Sequence, residues 1–260
     1  MDSFQNGDIS SQRPLEKPYR WSSLSAGPLH ALLAADAKTR NDAYALRYES
    51  YLADGHIDPN PAALFSDEHD ERAGSHTVVL YAGGAAVGTA RISAMDVVDG
   101  EAHGTIPAVA IFPEEVRQVI GFIPDTGKPK RVLEAARLVT RRGPGVDPRL
   151  VFSLFRLVEH LAAELGADVL LSCVRTEHVP FYERLRFEPV AGPRRYVGVK
   201  FEAWLMARLR SRHGEPRRLV PDLGTGPGEA AGAASSAEGT YASFLRGINV
   251  PLTGSSRTGS

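Results

Sequence analysis

The segment from Arg131 to Val174 constrains the fold of this chain more than any other part. It opens with the strand-length run RVLEAARLVT and turns at Arg141-Arg142-Gly143-Pro144-Gly145. It then continues into DPRLVFSLFRLVEHLAAELGA and closes with the continuous apolar run DVLLSCV. Asp147 and Pro148 stand where an N-cap and a first-turn proline belong, and Gly166 where a helix stops, so a long helix is expected between the two runs. A run as apolar as DVLLSCV is typical of a central strand. A strand that ends in a glycine turn and opens onto a helix offers free backbone N–H groups and the positive helix end to an anion. Arg141, Arg142, Gly143 and Gly145 are therefore a candidate phosphate site, although Pro144 removes one donor and Gly-Pro-Gly also serves as a plain turn.

Around this segment the periodicity switches several times. LHALLAADAKTRNDAYALRYESYLADG has apolar residues three and four apart with Gly55 as a stop, so one helix is expected. HTVVLYA and AAVGTARISAM flank Gly83-Gly84 as a hairpin. FPEEVRQVIGF and VPFYERLRF read as short helices and RRYVGVKFEAWLMA as a final strand. The resulting order predicts an α/β (α+β) chain whose mixed sheet carries helices on its faces.

At 260 residues the chain holds between one and two domains at about 150 residues each. Its first 25 residues are polar and lack an apolar run, which predicts a flexible N-terminal segment rather than a signal peptide. Residues 221–240 hold five Gly and five Ala and no aromatic residue, so residues 211–240 are expected to be a flexible linker. Residues 241–260 carry Tyr241, Phe244, Leu245, Ile248 and Val250, enough for weak docking, and one domain remains over residues 26–210. No stretch approaches the roughly 18 apolar residues of a membrane helix, so a soluble, cytoplasmic protein without a membrane span is expected. The single cysteine, Cys173, excludes an intramolecular disulfide and a Cys-rich zinc module, and no metal site is expected. With 30 Lys+Arg against 31 Asp+Glu, the chain does not suit a nucleic-acid partner.

The strand, glycine turn, long helix and strand, followed by TEHVPFYERLRFEPV, resemble the acyl-CoA/pantetheine-binding half of the GNAT N-acyltransferase superfamily. Tyr182 and Phe187-Glu188 match its tyrosine helix and Gly-Phe-Glu corner, while Arg186 replaces the usual Gly and Thr140 departs at the start of the turn. The N-terminal half resembles the acyl-homoserine-lactone synthases and, more closely, the N-acyl amino acid synthases. Arg47 and Tyr51, Asp67 and Asp70, Arg91 in Gly-Thr-x-Arg, and Glu134 with Arg137 match four motifs in order, over about residues 40–200. The resemblance implies a mostly antiparallel, twisted sheet and an N-acyltransferase joining a fatty acyl group to an amino acid. The donor would be the acyl-phosphopantetheine of acyl carrier protein, or acyl-CoA, with no permanently bound cofactor. The first alternative is a lactone synthase using S-adenosylmethionine, but those enzymes usually carry a Trp in the loop after the first helix and none follows Tyr51. A non-catalytic acyl-binding or sensory domain is the second. An acidic carrier protein would suit the arginines at 141–142, 194–195 and 208–218.

Amide formation from a thioester needs a deprotonated amine, a polarised carbonyl and a protonated leaving thiolate. Glu134, inside an apolar strand, is expected to have a raised pKa suited to a general base, or else to be neutralised by Arg137. Backbone N–H groups at Leu138, Val139 and Thr140 are candidates for the oxyanion site. Tyr182 is a candidate proton donor to sulfur or a core residue. Arg47, Asp67, Asp70 and Arg91 are candidate substrate-side residues whose charges also suit an ion-pair scaffold pinning the first helix over the sheet. Arg91 or Arg137 could hold the acceptor carboxylate. Cys173 reads as core, and His178 as a helix cap or an acting group.

Overall fold

The computed structural model describes residues 19–21, 29–141, 150–196 and 198–210. The expectations for Asp147 and Pro148, for Arg142, Gly143 and Gly145, for residues 211–260 and for most of residues 1–25 lie outside the described residues.

The chain begins with β1 (Tyr19–Trp21), which pairs antiparallel with β2 (Leu29–Leu33). The single helix expected from Leu29 is corrected here, because its first turn and a half is strand β2 and α1 runs over Ala37–Ala53. Leu29 and Ala31 are buried with His30 between them, a strand alternation hidden inside an apolar pattern that also fits a helix. Asp36 fixes the true start, since its Oδ1 accepts from Thr39 N at 2.8 Å and its Oδ2 from the Thr39 hydroxyl at 2.9 Å. The expected hairpin follows as β3 (Ser75–Ala82) and β4 (Ala85–Val98), with Gly83 and Gly84 both at positive φ, 56° and 82°.

β5 (Glu101–Gly104) folds back on β4 through Asp99-Gly100, an Asp-Gly hairpin signal that the sequence reading passed over. α2 (Pro107–Ile111) and α3 (Pro113–Gly121) each start on a proline. The central segment follows expectation, with β6 (Lys130–Thr140), α4 (Leu150–Glu164) and β7 (Val169–Val174). A 3-10 turn at Thr176–His178 leads into α5 (Val179–Arg184).

The expected single final strand is also corrected. It divides into the end of β8 (Glu188–Arg195) and β9 (Glu202–Leu209). Tyr196 leaves the ladder to bury its ring with Ile57, Val199 and Ala203, and its N–H bonds back to Phe201 O at 3.1 Å. β8, with prolines at 189 and 193, sits at the sheet edge, where missing N–H donors are tolerated.

The sheet runs β1-β2-β3-β4-β6-β7-β9-β8, with β5 beside β4, and among the described pairs only β6 and β7 are parallel. Leu133, Ala135 and Leu170 face α4 and α5, packing on Leu154, Leu157, Leu161 and Phe187. Val132, Val169 and Leu171 face the other way onto Phe112, Val116 and Val119 of the α2–α3 side. Gly88 lets α4 sit close, since a Cβ there would stand 3.0 Å from Leu154 Cδ1. Helices thus cover both faces of a mostly antiparallel sheet. No helix of the described residues is long and apolar enough to cross a membrane.

Candidate active site

A bulge in β6 starts the site. Arg91 pairs with Ala136 and Thr89 with Val139, so Ala90 alone stands opposite Arg137 and Leu138. Arg137 takes φ 54° there, a left-handed conformation costing a side-chain-bearing residue about 1–2 kcal/mol. The bulge breaks the in–out alternation and carries the Arg137 guanidinium over the rings of Phe65, Tyr196 and Tyr51, at 4.9, 5.3 and 5.8 Å. There it donates to Asp67 Oδ2 through Nε at 3.0 Å and Nη2 at 2.6 Å.

The other expected arginines join the same chain of charges. Arg91, fully buried, pairs with Asp67 Oδ1 and stands 3.1 Å from Asp70 Oδ2. Arg47, also fully buried, donates to Asp70 Oδ1 at 2.7 Å and to the Thr77 hydroxyl at 3.1 Å. The Asp67 N–H donates to Asp70 Oδ2 at 2.9 Å, closing the loop between the two acids. Burial resists ionisation of Asp67, but Arg137 and Arg91 outweigh it and hold the carboxyl well below the usual range; Arg47 and Arg91 do the same for Asp70. All five expected residues therefore meet in one ion-pair chain that ties α1 and the loop after it to β4 and β6.

Glu134 lies beside this chain and is fully buried. Its Oε2 accepts from the Ala108 N–H at 2.6 Å, at the start of α2, where no side chain of that helix supplies a cap. Its Oε1 makes no hydrogen bond of ordinary geometry among the described residues. Burial pushes the carboxyl up to about 7, against the Ala108 N–H, Arg91 and Arg137, which hold it down. The raised value expected from its place in an apolar strand is thus present, and Glu134 also acts as a helix cap.

β6 and β7 pair only from Val132 with Val169 to Glu134 with Leu171. Beyond that point a cavity of about 210 Å³ separates them, with residues 135–140 on one wall and residues 172–175 on the other. Leu138, Val139 and Thr140 line it, and so does Arg137. Glu134 does not. Cys173 does line it, and its thiol, pushed up by burial and by the neighbouring Glu134, stays protonated. Tyr182 closes the α5 side among Phe155, Phe181 and Phe187, with Oη 3.3 Å from Ser172 Oγ, whose hydroxyl donates to the Ala135 carbonyl at 2.8 Å. Burial pushes the phenol up to about 12.

Other expectations are redistributed. His178 makes no side-chain cap; its Nε2 meets Arg175 Nη2 at 2.8 Å. Arg141 is exposed and donates through Nε to Ala86 O at 3.1 Å. Of the arginine patches, Arg195 is exposed and Arg194 is tied to Glu115, whereas Arg208 is buried against Leu185 O and Glu159 and is structural. Sequence reading missed Arg175, His56, Tyr196 and Phe201. Arg175 stands just past the end of a central strand, a position that often faces a site; the others meet it only in three dimensions.

The model of the FeeM N-acyl amino acid synthase family matches residues 42–208. The structure of FeeM, an N-acyl amino acid synthase from uncultured soil microbes, is similar with a TM-score of 0.55 and 22% identity, over 74% of this chain and 90% of that one. The acyl-homoserine-lactone synthase LasI is similar at TM-score 0.49 and 12% identity, over 69% and 89% of the two chains. BjaI, a CoA-dependent acyl-homoserine lactone synthase, gives 0.46 and 17%, over 68% and 79%. No curated protein matches the chain. With its GNAT-like sheet and its motif arginines and acids joined in one network, the chain belongs to the FeeM N-acyl amino acid synthase family and is an acyltransferase.

Proposed function

We propose that the chain transfers an acyl group from a thioester, carried by acyl carrier protein or CoA in the cytoplasm, to the amine of an amino acid. The observation that supports this most is the parting of β6 from β7 around a cavity, with Leu138–Thr140 on its wall and Glu134, tuned near neutrality, beside it. In this reading the thioester carbonyl lies against the Leu138–Thr140 wall, where the alternate N–H groups that point away from β4 stabilise the developing oxyanion, the Val139 N–H being on the β4 side. The pantetheine phosphate belongs at Arg141, Arg142, Gly143 and Gly145, and the exposed Arg141 and Arg195 attract an acidic carrier protein.

The acceptor arrives as an ammonium and loses one proton. Glu134 takes it by way of water, because Cys173 and Arg137, not Glu134, line the cavity. The amine then forms the C–N bond, the tetrahedral centre expels the thiolate as the C–S bond breaks, and the second amine proton ends on sulfur. Tyr182, with its phenol near 12, stays protonated at neutral pH. A thiol ionises at about 8.5, so full transfer from Tyr182 is uphill, and its role is to donate a hydrogen bond to the leaving sulfur. Arg47, Asp67, Asp70 and Arg91 shape the acceptor side by fixing α1 and its following loop.

The test is incubation of the purified chain with an acylated carrier protein and a panel of amino acids, followed by mass spectrometry. An N-acyl amino acid is expected, and Glu134→Gln is expected to lower kcat by roughly 10²–10⁴ with the circular dichroism spectrum unchanged. No amide with any acceptor, or a lactone formed from S-adenosylmethionine instead, would contradict the reading.

A further inference from the structure

Of the arginines in the ion-pair chain, only Arg137 lines the cavity, and Asp67 already takes its Nε and Nη2. Arg91 faces two aspartates and lies outside the cavity wall. An acceptor carboxylate would have to displace an aspartate from either of them. A different cation occupies the same cavity. Arg175, the residue after β7, lines it together with Asp54, His56, His178 and Phe201.

The hydrogen bonds of Arg175 hold it in place without filling it. Nη1 donates to His56 Nε2 at 2.6 Å and Nη2 to His178 Nε2 at 2.8 Å, while Glu177 Oε1 is an ion-pair contact 2.9 Å from Nη1. A guanidinium has five N–H donors and no acceptor, so both imidazole nitrogens accept and both rings bring no charge at that contact. Glu177 is largely exposed and Asp54 stands 4.0 Å away. Two of the five N–H groups are spent on the imidazoles, and the Nε–H and one N–H on each of Nη1 and Nη2 remain for a carboxylate, which a guanidinium binds through two N–H groups.

We propose that Arg175 binds the α-carboxylate of the acceptor amino acid, placing its amine toward the β6 wall. This rests on the acyltransferase reading above and names the group by which its acceptor is chosen. Asp54, whose Oδ2 lies 4.0 Å from Arg175 Nη2 and 3.6 Å from His56 Nε2, belongs to the group of side chains that holds the guanidinium at this end of the cavity. The orienting elements are the end of α1, which supplies Asp54 and His56, and the turn before β9, which stacks the Phe201 edge on His56 at 5.0 Å.

The experiment compares the best amino acid acceptor with its carboxamide, which keeps the amine and the side chain but loses the negative charge. Wild type is expected to favour the acid by about 10- to 100-fold in kcat/KM. In Arg175→Ala the preference is expected to fall close to one, through a higher KM for the acid, with the donor KM held. Arg175→Lys is expected to restore part of it. Because acid and amide are compared within each variant, a general loss of folded enzyme cancels. An unchanged preference in Arg175→Ala, or an equal loss on both acceptors, would overturn the assignment. A wild type that acylates both equally would overturn it too while leaving the acyltransferase reading standing. A wild type that acylates nothing would remove that reading itself.

Discussion

At the scale of single residues the chemistry converges on Glu134, whose carboxyl is raised from 4.5 to about 7 by burial. The folded state therefore holds this proton more tightly than the unfolded chain. Its contribution to stability is complete below about pH 4.5 and is lost as pH rises through about 7. Glu134→Gln, which is neutral at every pH, should be more stable than wild type above neutrality, by up to about 3 kcal/mol. Melting temperatures of the two proteins measured from about pH 5 to pH 8 check this. The curves should diverge with rising pH, and parallel curves would mean that Glu134 titrates normally. Glu134 was legible because it is the one acid in the strand-length apolar run RVLEAARLVT, where burial on both faces is the expectation. Arg175 was not, since its partners His56 and Phe201 are 119 and 26 positions away and only folding brings them to it.

At the scale of elements, the bulge in β6 and the ion-pair chain work together. The bulge turns Arg137 toward Asp67, and Asp67 and Asp70 share Arg91 between them. Buried pairs of this kind add little over a hydrophobic replacement, but removing one partner strands a buried charge. Asp70→Asn leaves the fully buried Arg47 without its anion, and a loss of about 3–5 kcal/mol is expected in urea denaturation. A loss below about 1 kcal/mol would place the pair in the range of exposed salt bridges and contradict the role given to it. The sequence carried most elements here, because Gly83-Gly84, the proline-started helices and the apolar run of β7 each have a local cause. It failed where the cause is tertiary. Leu29–Leu33 is a strand because β1 and β3 flank it, and Tyr196 breaks the last strand because its ring has a buried place to go.

At the scale of the whole molecule, the near-zero net charge hides a separation. Asp70 and Glu134 are buried with Arg47 and Arg91 inside the fold, while Arg141 and Arg195 remain on the surface. The sheet closes one end of β6 against β7 and opens the other, so the cavity owes its place to topology rather than to any one side chain. That opening could not be read from residue patterns, since Val169–Val174 looks the same whether its end is paired or parted. The central claim is that the cavity exchanges a C–S bond for a C–N bond. It is tested most directly by following free thiol and amide together in one reaction of the wild-type chain with an acyl thioester and the acceptor amino acid. The expected result is one thiol released for each amide formed, with no thiol released when the acceptor is left out. Thiol release that proceeds without the acceptor, or no release with any acceptor, would contradict it.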